Sequence, residues 1–187
     1  VLYVSPIFYY KNHLNVVKAL QKLRDNTNIN LNLTFVGGGG SSCAYFELEE
    51  YLISNNLNGF ITIKDYVDTN QLLDEYSNSD LFVFASSSET FGITLLEAMG
   101  AKLPIACSDK TGLPELLKDA GVYFDPFDVS SIERALMNLL QSQTERENLG
   151  LLAFHYAKGH TWNDCTNQTF NFLRAIYSEN QKRKLKY

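Results

Sequence analysis

The chain has 187 residues, 16 lysines and arginines against 21 aspartates and glutamates, and a formal net charge of −5. With 45% hydrophobic and 20% charged residues it is not a disordered segment, a coiled coil or a fibre, and its length suits about one domain. Its longest apolar run, 81–85, is five residues against the roughly 20 of a membrane-spanning helix, and the acidic balance argues against nucleic acid as a partner.

Strands are expected at 1–5, 31–36, 60–64, 81–85, 104–107 and 122–124, mostly as continuous apolar runs, the pattern of strands covered on both faces. Helices fall between them. The first follows from Val16, Ala19, Leu20 and Leu23, and the others are expected at 44–55, 70–77, 92–99, 113–117 and 131–140. This alternation predicts an α/β fold, a Rossmann-like doubly wound parallel sheet of about six strands with ligands at its carboxyl edge. After residue 142 the strands stop. A helix over 145–157 is followed by one that Thr161 caps with Asp164, carrying Trp162, Cys165, Thr169, Leu173 and Ile176 on one face. These two extra C-terminal helices are expected to pack on the edge of the sheet or on something outside the chain.

Lys182, Arg183, Lys184 and Lys186 give 182–187 a basic tail, read either as a solvated terminus or as a contact with an anionic membrane surface. Cys43, Cys107 and Cys165 are widely spaced and lack a C-x-x-C pair. They read as reduced thiols, so a cytoplasmic location is expected, peripheral to the inner membrane face if the tail binds lipid. The chain opens within a β-type run, Val1-Leu2-Tyr3-Val4, with no initiator methionine, and is expected to be a piece of a longer protein.

Two stretches are candidates for chemistry. The glycines at 37–40 follow the second strand, but no Gly-Lys-Ser/Thr follows them and the G-x-G-x-x-G spacing fails at Cys43. They read as a tight turn. More telling is Ser86-Ser87-Ser88-Glu89-Thr90-Phe91-Gly92-Ile93-Thr94-Leu95-Leu96-Glu97-Ala98, which leaves the most hydrophobic strand and opens a helix near Gly92. Amides at Gly92, Ile93, Thr94 and Leu95 would lack helical partners and face outward at the positive end of the dipole, where they can hold a phosphate or diphosphate. Glu97, further along the helix, can accept two hydroxyl hydrogen bonds, and Glu89 stands in the loop before it. A ligand with polyol ends and an anionic middle suits this set. The alternative is that Glu89 is solvated and Glu97 caps or pairs with a basic neighbour.

Glu89-x7-Glu97, with Phe91-Gly92 inside and Ala98-Met99 after it, resembles the signature of the family-4 glycosyltransferases of GT-B fold. The flanks agree: Asp65-Tyr66-Val67, Ser79-Asp80-Leu81, Pro104-Ile105, Gly112-Leu113-Pro114-Glu115 and the Trp162 segment, so the resemblance runs from residue 1 to about 177. It implies that 1–187 is a single donor-binding domain, the C-terminal half of a two-domain enzyme whose N-terminal acceptor domain lies outside the chain. The implied activity is retaining transfer of a sugar from a nucleoside diphosphate to a hydroxyl acceptor, in polysaccharide or glycoconjugate synthesis.

By the same resemblance Glu97 binds the ribose hydroxyls and Glu89 stands beside the donor sugar. Amides of Phe91 and Gly92 approach the sugar, those of Thr94 and Leu95 the phosphates, and Tyr66 and Val67 frame the base. Lys11 neutralises the departing diphosphate. The family's Gly-Arg five residues before that lysine is replaced by Ser5-Pro6, which leaves more of the charge to Lys11. No cofactor or metal is implied: lysine and helix dipole take the cation's place, there is no D-x-D, and His155 and His160 are not at helical zinc spacing. His13, beside Lys11, is expected at the surface, with contact to a phosphate as the alternative. Two other readings stay open, a nucleotide-sugar epimerase of related fold and a non-catalytic module that binds nucleotide or a partner.

Overall fold

Six parallel strands, β1 (Leu2–Val4), β2 (Leu33–Val36), β3 (Ile61–Lys64), β4 (Phe82–Phe84), β5 (Ile105–Ser108) and β6 (Val122–Phe124), pair in the order β3-β2-β1-β4-β5-β6. They belong to a computed structural model, which describes residues 1–27, 29–38, 40 and 42–184. The alternating helices are α1 (His13–Asn26), α2 (Cys43–Ser54), α3 (Thr69–Ser77), α4 (Ile93–Gly100), α5 (Leu113–Leu117) and α6 (Val129–Gln141), with α7 (Gln143–Ala157) and α8 (Trp162–Lys184) closing the chain. This is the expected doubly wound α/β sheet.

The central strands β1, β4 and β5 are buried at every position, whereas edge strand β3 exposes Thr62. Apolar side chains on both faces are what parallel strands between two helical layers require. Strands β1 to β4 are shorter than the expected runs because the ladder frays at its ends, while β5 lies one residue later than expected and β6 matches. Leu33 N donates to Phe60 O at 2.8 Å and Phe82 N to Pro104 O at 3.0 Å, just outside the paired segments. Connections from β1 to β2 and from β4 to β5 run in opposite directions across the sheet, so right-handed crossovers put their helices on opposite faces. On one face α1 packs against α2 and α6; on the other α4 packs against α5 and α7.

Short polar side chains set the helix starts. Asp68 Oδ1 accepts from Gln71 N at 2.9 Å while the Gln71 side chain accepts from Asp68 N, a capping box for α3. Ser42 and Ser142 cap α2 and α7 in the same sense. Thr161 caps α8 as expected, its Oγ1 accepting from Asp164 N at 3.1 Å; the Asp164 carboxylate takes the Thr161 hydroxyl rather than a backbone amide.

Helix α7 packs on helices α4, α5 and α6, and α8 does not take the first of its two expected places, the edge of the sheet. Every residue from 161 to 181 is exposed, with Trp162 at 82% and Leu173 at 54%. The edge of the sheet therefore does not receive α8, and its apolar residues face outward. The side chains of the basic tail at 182–187 lie outside the described residues, as does Gly39. Gly37 does make the turn expected after β2, at φ +92°. Among the described residues no helix is long and apolar enough to cross a membrane.

Candidate functional site

The strand order reverses between β1 and β4, which lie side by side but feed connections in opposite directions. A crevice opens at the carboxyl ends of strands so arranged. The loop leaving β1 brings Lys11 to one side of it, and the loop leaving β4 brings Glu89 to the other. The Lys11 ammonium and the Glu89 carboxylate form an ion pair across the switch point, with side-chain exposures of 10% and 16%. The Lys11 Nζ also stands 5.3 Å from the centre of the Phe84 ring. The two residues expected to carry the chemistry thus meet directly, and Glu89 is neither solvated nor isolated.

A set of backbone ties fixes where Lys11 stands. The buried Tyr3 hydroxyl donates to Lys11 O at 2.6 Å. Tyr10 O accepts from Ser87 N at 2.7 Å, from Ser87 Oγ at 3.0 Å and from Asn12 Nδ2 at 3.1 Å. Asn12 Nδ2 also donates to Ala85 O at 2.9 Å. The Asn12 backbone is left-handed at φ +53°, and its side chain, which would ordinarily cap α1, crosses to the β4 loop instead. Two loops that are 73 residues apart in sequence are clamped into one unit.

His13 is not at the surface. It is 2% exposed, stacked on Tyr3 with ring centres 4.5 Å apart, and its Nε2 lies 3.1 Å from Ser5 Oγ. Burial, and secondarily the Lys11 charge, push its pKa down to about 3, so the ring is neutral. Nδ1 is buried without a hydrogen-bond partner. This histidine belongs to the packing beneath Lys11 and is not a phosphate contact.

The far wall of the crevice is the start of α4. Gly92 adopts φ +88°, ψ +57°, a left-handed conformation that L side chains rarely take, and a β-carbon there would come within 3.0 Å of Leu113 Cδ2. The first helical bond runs from Leu96 N to Gly92 O at 3.1 Å. The amides of Gly92, Ile93, Thr94 and Leu95 therefore have no intrahelical acceptor. Phe91, just before them, is 46% exposed and meets His160 edge to face, with centroids 5.9 Å apart.

Glu97 lies on the exposed side of α4. Among the described residues it neither caps the helix nor pairs with a cation: Oε2 accepts from the Tyr76 hydroxyl at 2.9 Å. Burial first, then the Glu97 charge, push the Tyr76 phenol pKa far up, so it remains a donor. Tyr66 is 94% exposed in the loop between β3 and α3, while Val67 is half-buried against the core. All these loops leave the same edge of the sheet.

Sequence reasoning missed Tyr3, Ser87 and Tyr76. Tyr76 alone gave a signal: an aromatic ring four residues after Leu72 on a short helix is placed for burial, and a buried phenol needs an acceptor. Among the described residues no cluster of three or more His, Cys, Asp or Glu is placed to hold a metal ion.

A family model described as "Glycosyl transferases group 1" matches residues 1–153. The chain is 33% identical over 176 residues to O-antigen chain mannosyltransferase B of Escherichia coli, covering 94% of this chain and 45% of that protein. It shares its fold with the sucrose-phosphate synthase of Thermosynechococcus elongatus at a TM-score of 0.80 and 22% identity, over 95% of this chain and 45% of that one. It shares it also with Anabaena HepE, solved in complex with UDP and glucose, at a TM-score of 0.78 and 17% identity, over 93% and 47% of the two chains. The chain spans about half the length of the curated relatives it matches.

Proposed function

The chain belongs to the glycosyl transferases group 1 family, and on that premise we propose that residues 1–187 are the nucleotide-sugar-binding domain of a two-domain, retaining glycosyltransferase. The observation that carries this reading is the convergence at the switch point of Lys11, Glu89 and the uncapped start of α4. A nucleoside diphosphate sugar matches that set from end to end. Its diphosphate takes the amides of Thr94 and Leu95 and the Lys11 ammonium, and its sugar lies by Glu89, Phe91, Gly92 and Ile93. The ribose hydroxyls meet Glu97, and the base lies by Tyr66 and Val67.

The reaction breaks the bond between the anomeric carbon and the diphosphate oxygen and forms one to an acceptor hydroxyl oxygen on the same face of the sugar, the hydroxyl proton passing to the departing diphosphate. Negative charge grows on the leaving diphosphate, and preorganised donors at that point lower the barrier. Lys11 and the α4 amides supply them with no metal ion required. Lys11 is held by Glu89; an incoming diphosphate takes over part of that ammonium, which leaves the carboxylate facing the sugar. The acceptor is held by a second domain outside this chain, in the synthesis of a polysaccharide or glycoconjugate, and the basic tail reaches the anionic inner membrane face.

The test is to incubate the full-length protein with UDP- and GDP-sugars in the presence of EDTA and to assign the product anomer by NMR. The expected result is transfer with the donor's anomeric configuration kept. Inversion, release of an epimerised sugar, or nucleotide binding without turnover would each overturn the reading. Loss of transfer in EDTA that magnesium or manganese restores would overturn the role given to Lys11.

A further inference from the structure

Glu97 is the carboxylate on which the donor reading places the ribose, and the side chain that steadies it comes from α3, which carries none of the residues assigned to the donor. We infer that Tyr76 is a positioning residue for Glu97, and that the pair makes the site prefer ribonucleoside over dideoxyribonucleoside diphosphates. The inference rests on the donor reading of the switch-point crevice.

Tyr76 is 3% exposed, and its ring lies 5.9 Å from that of Phe82 on the central strand β4. The ring is therefore fixed by packing on the sheet, and its hydroxyl is fixed with it. Two acceptors lie within reach, Glu97 Oε2 at 2.9 Å and Thr94 O at 3.3 Å. The hydroxyl has one proton, and the shorter bond to the charged acceptor takes it.

A glutamate on the exposed side of a helix is otherwise free to change rotamer, and fixing it at the moment of binding costs conformational entropy. The Tyr76 bond makes that restriction before the ligand arrives. It also occupies only one lone pair of Oε2, leaving Oε1 and the other lone pair of Oε2 to accept two neighbouring hydroxyls. Phe in place of Tyr76 keeps the ring and loses the restraint.

The experiment uses the full-length protein and calorimetry with UDP, GDP and ADP, then with the 2′,3′-dideoxy counterpart of whichever binds most tightly. For Tyr76→Phe we expect affinity for the ribonucleotide to fall about three- to tenfold, as for the loss of one net hydrogen bond, with dideoxynucleotide affinity unchanged. A melting curve checks that the fold is retained. Equal losses for both nucleotides, or no loss for either, overturn the role of Tyr76. Glu97→Gln separates this from the underlying reading: if it keeps the preference for ribose, the placement of ribose on Glu97 fails and Tyr76 falls with it. If Glu97→Gln abolishes the preference while Tyr76→Phe leaves it intact, only the Tyr76 inference is lost.

Discussion

Glu89 and Glu97 stand eight residues apart at one crevice, yet the fold holds them by opposite means. Glu89 is drawn into an ion pair with Lys11 beneath a set of buried polar ties, while Glu97 stays exposed and receives one neutral donor, the Tyr76 hydroxyl. An ionic partner can be exchanged: on the donor reading, an incoming diphosphate would compete with Glu89 for the same ammonium. A neutral donor orients a carboxylate without cancelling its charge, so Glu97 remains available to hydroxyl groups. The difference separates, on the donor reading, a carboxylate whose surroundings change on binding from one whose surroundings do not. On the donor reading, the first belongs with the reacting sugar and the second with the invariant part of the donor.

The sharpest way to break this comparison is to remove the exchangeable cation. Lys11→Ala takes away the ammonium that meets Glu89 across the switch point and leaves that carboxylate without its partner. Turnover of the full-length enzyme should fall by about 2–4 kcal/mol of barrier, roughly 30- to 1000-fold. Steady-state kinetics with saturating donor measures this, and a loss below about threefold would mean that the α4 amides suffice. On the other side, Glu97→Gln should weaken nucleoside diphosphate binding by about 1.5–3 kcal/mol, the range for hydrogen bonds to a charged group. Calorimetry reads it directly, and unchanged affinity would remove Glu97 from the donor site.

The half of the site around Lys11 should also be the acid-sensitive half. His13 is buried and neutral beneath it, with a folded pKa of about 3 against an ordinary value near 6.5. Between those values the unfolded chain binds a proton that the folded one refuses, so stability falls as pH drops from about 6.5 toward 3. It is fully present above that window, and the slope from this one group reaches about 1.4 kcal/mol per pH unit. Denaturant titrations at pH 7, 5.5 and 4.5 should show this slope in the wild type and a flatter one in His13→Phe. The same slope in both would acquit the histidine.

Most of the sheet was legible because each strand is a run of apolar residues and the helices between them keep a helical spacing of apolar residues. The run at 81–85 became β4 with one residue frayed at each end, β5 lies one residue later than the expected 104–107, and Thr161 caps where its side chain suggested. The carboxylates were legible too, since they follow the most hydrophobic strand. Their partners were not, because each partner sits on another element. Tyr76 reaches Glu97 only because α3 returns across the sheet, and Tyr3 reaches Lys11 O from inside β1. Burial of His13 depended on the clamp made by Asn12, which draws the start of α1 down against β1 and β4. The face of α8 was read correctly as apolar, but periodicity says nothing of what stands opposite it.

The backbone between the carboxylates offers a smaller test. Gly92→Ala places a β-carbon at φ +88° and 3.0 Å from Leu113 Cδ2. It should destabilise the domain by about 1–2 kcal/mol and shift the first turn of α4, with thermal melts reading the first effect. Unchanged stability would mean that α4 can begin elsewhere without loss, and that its amides are not held in one place.

The smallest effect separates the carboxylates by sign. Glu89→Gln removes the negative charge that holds Lys11 but keeps a side chain of the same size. The ammonium is then free before the ligand arrives, and a nucleoside diphosphate no longer competes with a carboxylate for it. Two effects oppose each other. Loss of the pair lowers the stability of the unliganded domain, because a nearly buried cation is left without its partner; binding of an anion then restores a partner to it. Affinity for the diphosphate should therefore rise, by about three- to fivefold, and the thermal stabilisation by ligand should rise with it. Sugar transfer should fall in the same variant, since no carboxylate faces the sugar. Glu97→Gln moves affinity the other way. If calorimetry finds that both substitutions weaken the diphosphate alike, the ion pair is not exchanged on binding, and the two carboxylates do the same work.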